Sequence, residues 1–256
     1  MELAFERRGA GAPLILIHGI GHHWQAWLPV LDRLAAAHDV IAIDLPGFGV
    51  SPGLPDGTPY TAESLADAVE SFCALMGVRE PHVAGNSLGG YIALELASRG
   101  VVRTAAALSP AGFWSRPELV WCQTALRALR STARSLPYEQ AARAAENPLG
   151  RAMSAGLLVA HPSRLTPTAL MAATQALAGA AGFDETLESF TNLMPPAPPK
   201  TPITIAWGEH DRLLPRRQAV RAAKWSGQRV KLLKGCGHLP MSDDPGLVAR
   251  VILESC

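Results

Sequence analysis

The chain lacks a surplus of charge of either sign: its 256 residues carry 23 Lys and Arg against 22 Asp and Glu, a formal net charge of +1. A protein that holds nucleic acid or an anionic membrane by electrostatics needs a basic excess, so neither partner is expected. Long apolar runs are missing too. None approaches the roughly 18 residues that a membrane span requires. The opening MELAFERRGAGAP has no apolar h-region or small-residue cleavage site, and a cytoplasmic protein is the expectation. Cysteine is sparse: Cys73, Cys122, Cys236 and Cys256 form no CxxC pair, so the thiols are read as buried or incidental and not as a disulfide framework. No His, Cys or carboxylate cluster has metal-ligand spacing, so no metal is expected. Internal repeats and charged tails are also absent.

What is present is the composition of an ordinary globular protein, with 48% hydrophobic and 18% charged residues. At this length an α/β chain commonly forms one large core, with room for an insertion.

PLILIHG (13–19) and HDVIAIDLPG (38–47) each hold a short, almost continuous apolar run that stops at glycine. Such runs are expected of strands buried on both faces. WQAWLPVLDRLAAAH (24–38) between them has helical spacing. The alternation continues with a helix near 62–76, a strand near 81–85, a helix over 88–99 and a strand at 102–109. It resumes with a strand at 201–209, a helix at 216–225, a strand at 229–235 and a last helix at 245–255. This order predicts an α/β fold, a doubly wound and mostly parallel sheet.

From Phe113 to Phe190 the strand signal vanishes, and Ala, Leu, Arg and Gln recur at helical spacing, broken by Pro137, Pro148, Pro162 and Pro167. MPPAPPK (194–200) then reads as a stiff, extended connector. We expect residues 1–112 and 198–256 to form the core and residues 113–197 an inserted helical cap.

Within HVAGNSLGGYIALELASRG (82–100) an apolar run ends, glycines crowd around one serine and a helix opens. A strained strand-to-helix turn needs small neighbours on either side of its apex, and Gly85 and Gly89 supply them around Ser87. Ser87 would then stand above the carboxyl ends of the strands, where open α/β sheets bind ligands. A serine hydroxyl becomes a useful nucleophile only beside a base. His238, in KGCGHLPMSDDP, follows a predicted strand and precedes the last helix, whereas His18, His22 and His23 belong to a different loop. The orienting carboxylate is expected from WGEHDRLLP: Asp211 is preferred, Glu209 is its local rival, and His210 is expected to face solvent. Two backbone N–H groups would face a developing oxyanion, those of Leu88 at the start of its helix and Ile20 beyond Gly19. His18 is expected to support that loop by hydrogen bonding.

HGIGHHWQAW, DLPGFGVS, GNSLGG, WGEHDRLLP and GCGHLP occur in this order, and through them the chain resembles the α/β-hydrolase family across essentially its whole length. The resemblance implies a cap between the sixth and seventh strands and catalysis by Ser87, Asp211 and His238 without a cofactor. Asp44 in DLPGFGVS is read as shaping a turn. Serine at the elbow departs from relatives such as epoxide hydrolases and haloalkane dehalogenases, which use aspartate there.

The expected pocket lining is Gly19, Trp24, Trp27, Phe113, Trp114, Trp121 and Met241. The leading expectation is a serine carboxylesterase acting on a small to medium, largely uncharged ester, thioester or lactone. C–C bond hydrolysis of a diketone stays open, because GNSLGG resembles the elbow of ring-fission-product hydrolases. So does a non-hydrolytic lyase, perhydrolase or cyclase reaction, and, less favoured, a ligand-binding receptor. The sequence does not fix the oligomeric state.

Overall fold

The computed structural model describes residues 1–256. Seven strands alternate with helices: β1 (Phe5–Arg8), β2 (Pro13–Ile17), α1 (Leu28–Ala35), β3 (Asp39–Ile43), α2 (Ala62–Leu75), β4 (His82–Asn86), α3 (Leu88–Arg99) and β5 (Thr104–Leu108). Five helices follow without a strand: α4 (Arg116–Ser135), α5 (Tyr138–Glu146), α6 (Pro148–Ala155), α7 (Pro167–Gly179) and α8 (Phe183–Ser189). The sheet then resumes with β6 (Ile203–Gly208), α9 (Arg217–Ser226), β7 (Lys231–Leu233), α10 (Pro240–Asp243) and α11 (Pro245–Leu253).

The strands lie in one sheet in the order β1-β3-β2-β4-β5-β6-β7. Only β1 runs antiparallel, along β3. The five helices therefore follow the fifth of seven strands, one place earlier in the count than the resemblance implies.

The central strands show why their sequences read as continuous apolar runs. On β2, Ile15 and Ile17 enter the larger core cluster, while Leu14 and Leu16 enter the smaller one on the opposite face. β3 repeats the pattern, Ile41 and Ile43 against Val40 and Ala42. Side chains on a strand alternate in direction, so burying both faces demands an apolar residue at every position. α2, α3 and α9 cover one face, and α1 and α11 the other. Each fully buried Leu or Ile contributes roughly 1.5–3 kcal/mol relative to exposure.

β1 lies outside the sequence expectation. Its FERR alternates between exposed and half-buried positions, the pattern of an edge strand with one wet face, and carries no apolar run to detect. β7 is shorter than expected, Lys231–Leu233 in place of 229–235, and its first two residues are exposed.

The helical stretch has local reasons for its boundaries. Pro148 and Pro167 begin α6 and α7, where a missing N–H costs nothing. Thr166 caps α7 by accepting the Ala169 N–H at 3.1 Å. The α4 start is held by Glu118, whose buried carboxylate accepts the Ser115 N–H at 2.6 Å and also binds Arg217 and Arg221 of α9. The proline-rich connector carries no helix or strand, and it is pinned where Ser98 Oγ and Trp225 Nε1 donate to Ala197 O and Pro196 O.

Candidate active site

Four of the parallel strands end in one place. β2 delivers His18 and Gly19, β4 delivers Ser87, the loop after β6 delivers Asp211 and the loop after β7 delivers His238. Ser87 joins β4 directly to α3, with φ 57° and ψ −115°. A side chain rarely adopts that region, and holding it there costs on the order of 1–3 kcal/mol. The surroundings enforce it: a Cβ on Gly85 would lie 2.0 Å from Gly89 O, and one on Gly89 2.1 Å from Ile17 O. The turn can be this tight only with glycine at both places.

The His238 Nδ1–H donates to Asp211 Oδ2 at 2.8 Å, and both side chains are buried. The other Asp211 oxygen accepts the N–H groups of Leu213 at 3.1 Å and Leu214 at 2.8 Å, which fixes the carboxylate plane. With Nδ1 donating, a neutral ring keeps its lone pair on Nε2. Glu209 takes a different partner, accepting the Gly235 N–H at 3.0 Å. His210 is exposed. Asn86 fastens the imidazole loop to the elbow: its Nδ2 donates to His238 O at 2.9 Å and to Leu108 O at 3.1 Å. The Ser87 hydroxyl itself makes no hydrogen bond to the ring; such contacts often tighten only when substrate is bound.

Beside the elbow, a Cβ on Gly19 would lie 3.1 Å from Ser87 Cβ. Gly19 O accepts two protons, from His18 Nδ1 at 2.7 Å and from the His22 N–H at 3.2 Å. The following peptide is trans, so fixing this carbonyl points the Ile20 N–H the opposite way. Ile20 N–H bonds to no protein acceptor. Leu88, first in α3, has no intrahelical acceptor for its own N–H. His18 Nε2 accepts the Leu45 N–H at 3.0 Å, so the ring is neutral, and burial pushes its pKa down to about 4. Burial likewise pushes His22 down to about 3. Asp44 stabilises the neighbouring loops, accepting the Trp24 N–H at 2.6 Å and the Val50 N–H at 3.0 Å.

The large side chains expected at a pocket lie in several different surroundings. Trp27 and Met241 are fully buried in the core cluster on the α1 and α11 face, and half-buried Trp24 packs against the same cluster. Phe113 is buried with its ring edge-on to Trp225 at 5.4 Å. Trp121 is 47% exposed and its indole donates to Arg212 O at 3.0 Å. Trp114 rests on Phe190 at 5.2 Å. Large side chains at helical spacing mark burial, and periodicity alone does not say against what. The residues that do come down on the Gly19–Ile20 loop are Leu177 and Phe183, whose atoms would meet a Cβ on Gly21 at 2.5 and 3.2 Å. Nothing local in their sequence marks that approach. No group of three or more His, Cys, Asp or Glu side chains is placed to hold a metal ion, and no helix is long and apolar enough to cross a membrane.

Residues 14–251 match the model of the alpha/beta hydrolase family. The chain is 31% identical over 242 residues to the dihydrolipoyllysine-residue acetyltransferase component of the acetoin cleaving system of Cupriavidus necator, covering 93% of this chain and 62% of that protein. It therefore spans less than two thirds of that relative's length. A 97-residue stretch is 38% identical to the pimeloyl-[acyl-carrier protein] methyl ester esterase of Aeromonas salmonicida, 38% of this chain and 36% of the relative. The crystal structure of a membrane phospholipase A, a bacterial virulence factor, superimposes with a TM-score of 0.77 at 26% identity, covering 98% of this chain and 82% of the other. With a match that runs from the second strand into the last helix, this chain belongs to the alpha/beta hydrolase family.

Proposed function

We propose that the protein is a serine hydrolase that cleaves a small to medium, largely uncharged ester, thioester or lactone through an acyl-enzyme intermediate. The observation that carries the reading is the buried Asp211–His238 pair, tied by Asn86 to the strained turn at Ser87. In this reading Ser87 Oγ forms a bond to the substrate carbonyl carbon as its proton passes to His238 Nε2. The carbonyl electron pair moves onto oxygen, opposite the N–H groups of Ile20 and Leu88. Collapse breaks the bond to the leaving group, which takes the proton from Nε2. Water then repeats the sequence, releasing the acid and restoring Ser87. Each donor to the oxyanion supplies on the order of 10²–10³ in kcat.

The named activities of the esterase and phospholipase relatives, both cleavages of an ester, support the choice of bond. Residues 113–197 act in this proposal as a cap over the site, with Leu177 and Phe183 as its inner wall. In this proposal the working compartment is cytoplasmic, and the partner is a small-molecule substrate and neither nucleic acid nor a membrane.

A fluorophosphonate probe followed by intact mass and peptide mapping tests the reading. Stoichiometric labelling at Ser87, together with turnover of a p-nitrophenyl ester series, is the expected result. No labelling, or turnover of ring-cleavage diketones without any of esters, would refute it.

A further inference from the structure

The last strand leads into a loop whose position depends on one carboxylate outside the catalytic set. Asp243 closes the short helix α10 and is buried. No cation pairs with its carboxylate, although Arg164 Nη1 donates to its backbone O at 2.8 Å. Its Oδ2 accepts the N–H of Gly237, the residue before His238, at 2.7 Å and the N–H of Ala160 at 2.9 Å; its Oδ1 accepts the His161 N–H at 2.8 Å. One side chain thus bridges the imidazole loop and the segment that joins α6 to α7. The two also touch directly: a Cβ on Gly237 would lie 2.8 Å from Ala160 N, and the Leu239 N–H donates to Leu158 O at 2.8 Å. The residues on both sides of His238 are therefore attached to the helical insertion.

We propose that Asp243 is a positioning residue for His238: its carboxylate joins the imidazole loop to Ala160 and His161, so that the insertion sets where Nε2 stands relative to Ser87. The inference rests on the reading of His238 as the base. A charged acceptor with three amide donors in a buried site holds all three firmly, because each bond is charge-assisted and the local dielectric is low. Asparagine brings only one acceptor oxygen and turns an NH2 group toward a donor, leaving at least one amide unpaired. A displacement of about 1 Å at the base is enough to lower turnover on the order of 10²-fold.

The rival account is that Asp243 merely closes a turn, and a double-variant cycle separates the two. Asp243→Asn should lower kcat by about 10- to 100-fold while leaving KM within about twofold. Placed on His238→Ala, the same change should alter the residual turnover by less than about twofold, since a residue acting through His238 has nothing left to act on. Equal losses in both backgrounds, or near-normal kcat in folded Asp243→Asn protein, would overturn the proposal. Should Asp243→Asn fail to fold, Ala160→Pro replaces one donor with a ring carbon that pushes the carboxylate away from that side. It should also lower kcat, and unchanged kcat in that variant overturns the proposal equally. Fluorophosphonate labelling keeps the two levels apart: an unlabelled wild-type Ser87 refutes the serine mechanism, whereas labelling of wild type and Asp243→Asn at the same rate refutes only the coupling.

Discussion

His18 and Leu45 are joined by a hydrogen bond that fixes the state of an imidazole beside Ser87. The ring accepts, at 3.0 Å, from the backbone N–H. Its one proton is therefore committed to Gly19 O, and the ring must stay neutral for both bonds to persist. Burial, which holds its pKa at about 4 against an ordinary 6.5, enforces this.

The pH consequence follows in sign. Between pH 6.5 and about 4 the unfolded chain binds a proton at His18 that the folded one refuses, so stability rises with pH across that window and is lost as the pH falls through it. The shift corresponds to about 3 kcal/mol. Denaturant midpoints measured from pH 7 to 4 should decline, and the decline should be shallower in His18→Asn. An identical slope in the two proteins would show that His18 does not govern it.

At the elbow, the positive φ of Ser87 imposes strain that glycine escapes. Ser87→Gly should melt roughly 2–4 °C above Ser87→Ala, as expected for about 1 kcal/mol in a chain of this size. Both should lose on the order of 10³-fold or more in kcat. Equal melting temperatures would mean that the turn is unstrained.

Asp211→Asn keeps one oxygen for the Leu213 and Leu214 N–H groups but turns an NH2 toward His238 Nδ1, which breaks the bond that fixes the tautomer, and kcat should fall on the order of 10²–10⁴-fold. Glu209→Gln alters only the contact with the Gly235 N–H and a 3.7 Å approach to exposed His210, and should cost less than tenfold. The reverse ranking in steady-state kinetics would assign the pair wrongly.

Glu118 links the first inserted helix to α9. Burial opposes its charge, but the Ser115 N–H, Arg217, Ser115 Oγ and Arg221 outweigh that and hold the carboxyl below its ordinary value. It contributes stability above pH 4.5 that is lost as pH falls through the lower folded value. Because Arg217 and Arg221 are exposed, Glu118→Gln should cost only on the order of 1–2 kcal/mol at neutral pH. That gap should narrow at pH 4. A gap that widens in acid would contradict the ion pairing.

The parts of this protein that sequence discloses are those whose cause is local. Ile15 and Leu16 need both faces covered, so β2 is legible. Gly85, Ser87 and Gly89 declare a tight turn by spacing alone. Asp211 and His238 follow strand ends, and the pairing of one with the other could be read from that position. Where the large side chains lie depends on tertiary contacts. Trp27 and Trp121 have similar helical settings in sequence, yet one is fully buried and the other lies outside. Asn86 and Asp243 carry no pattern of their own; each holds backbone atoms brought from distant parts of the chain, His238 O for one and the Ala160 N–H for the other. β1 escapes for the opposite reason, being too polar to stand out.

The two-sided burial of β2 and β3 also limits how this protein can change. A strand with one wet face offers every second position to neutral drift, but Leu14 through Ile17 and Val40 through Ile43 offer none. In a saturation library, tolerated diversity should collect on Phe5–Arg8, Lys231–Leu232 and the outer surfaces of the inserted helices. Variation would then gather in the inserted helices and the sheet edges, around an almost immutable floor.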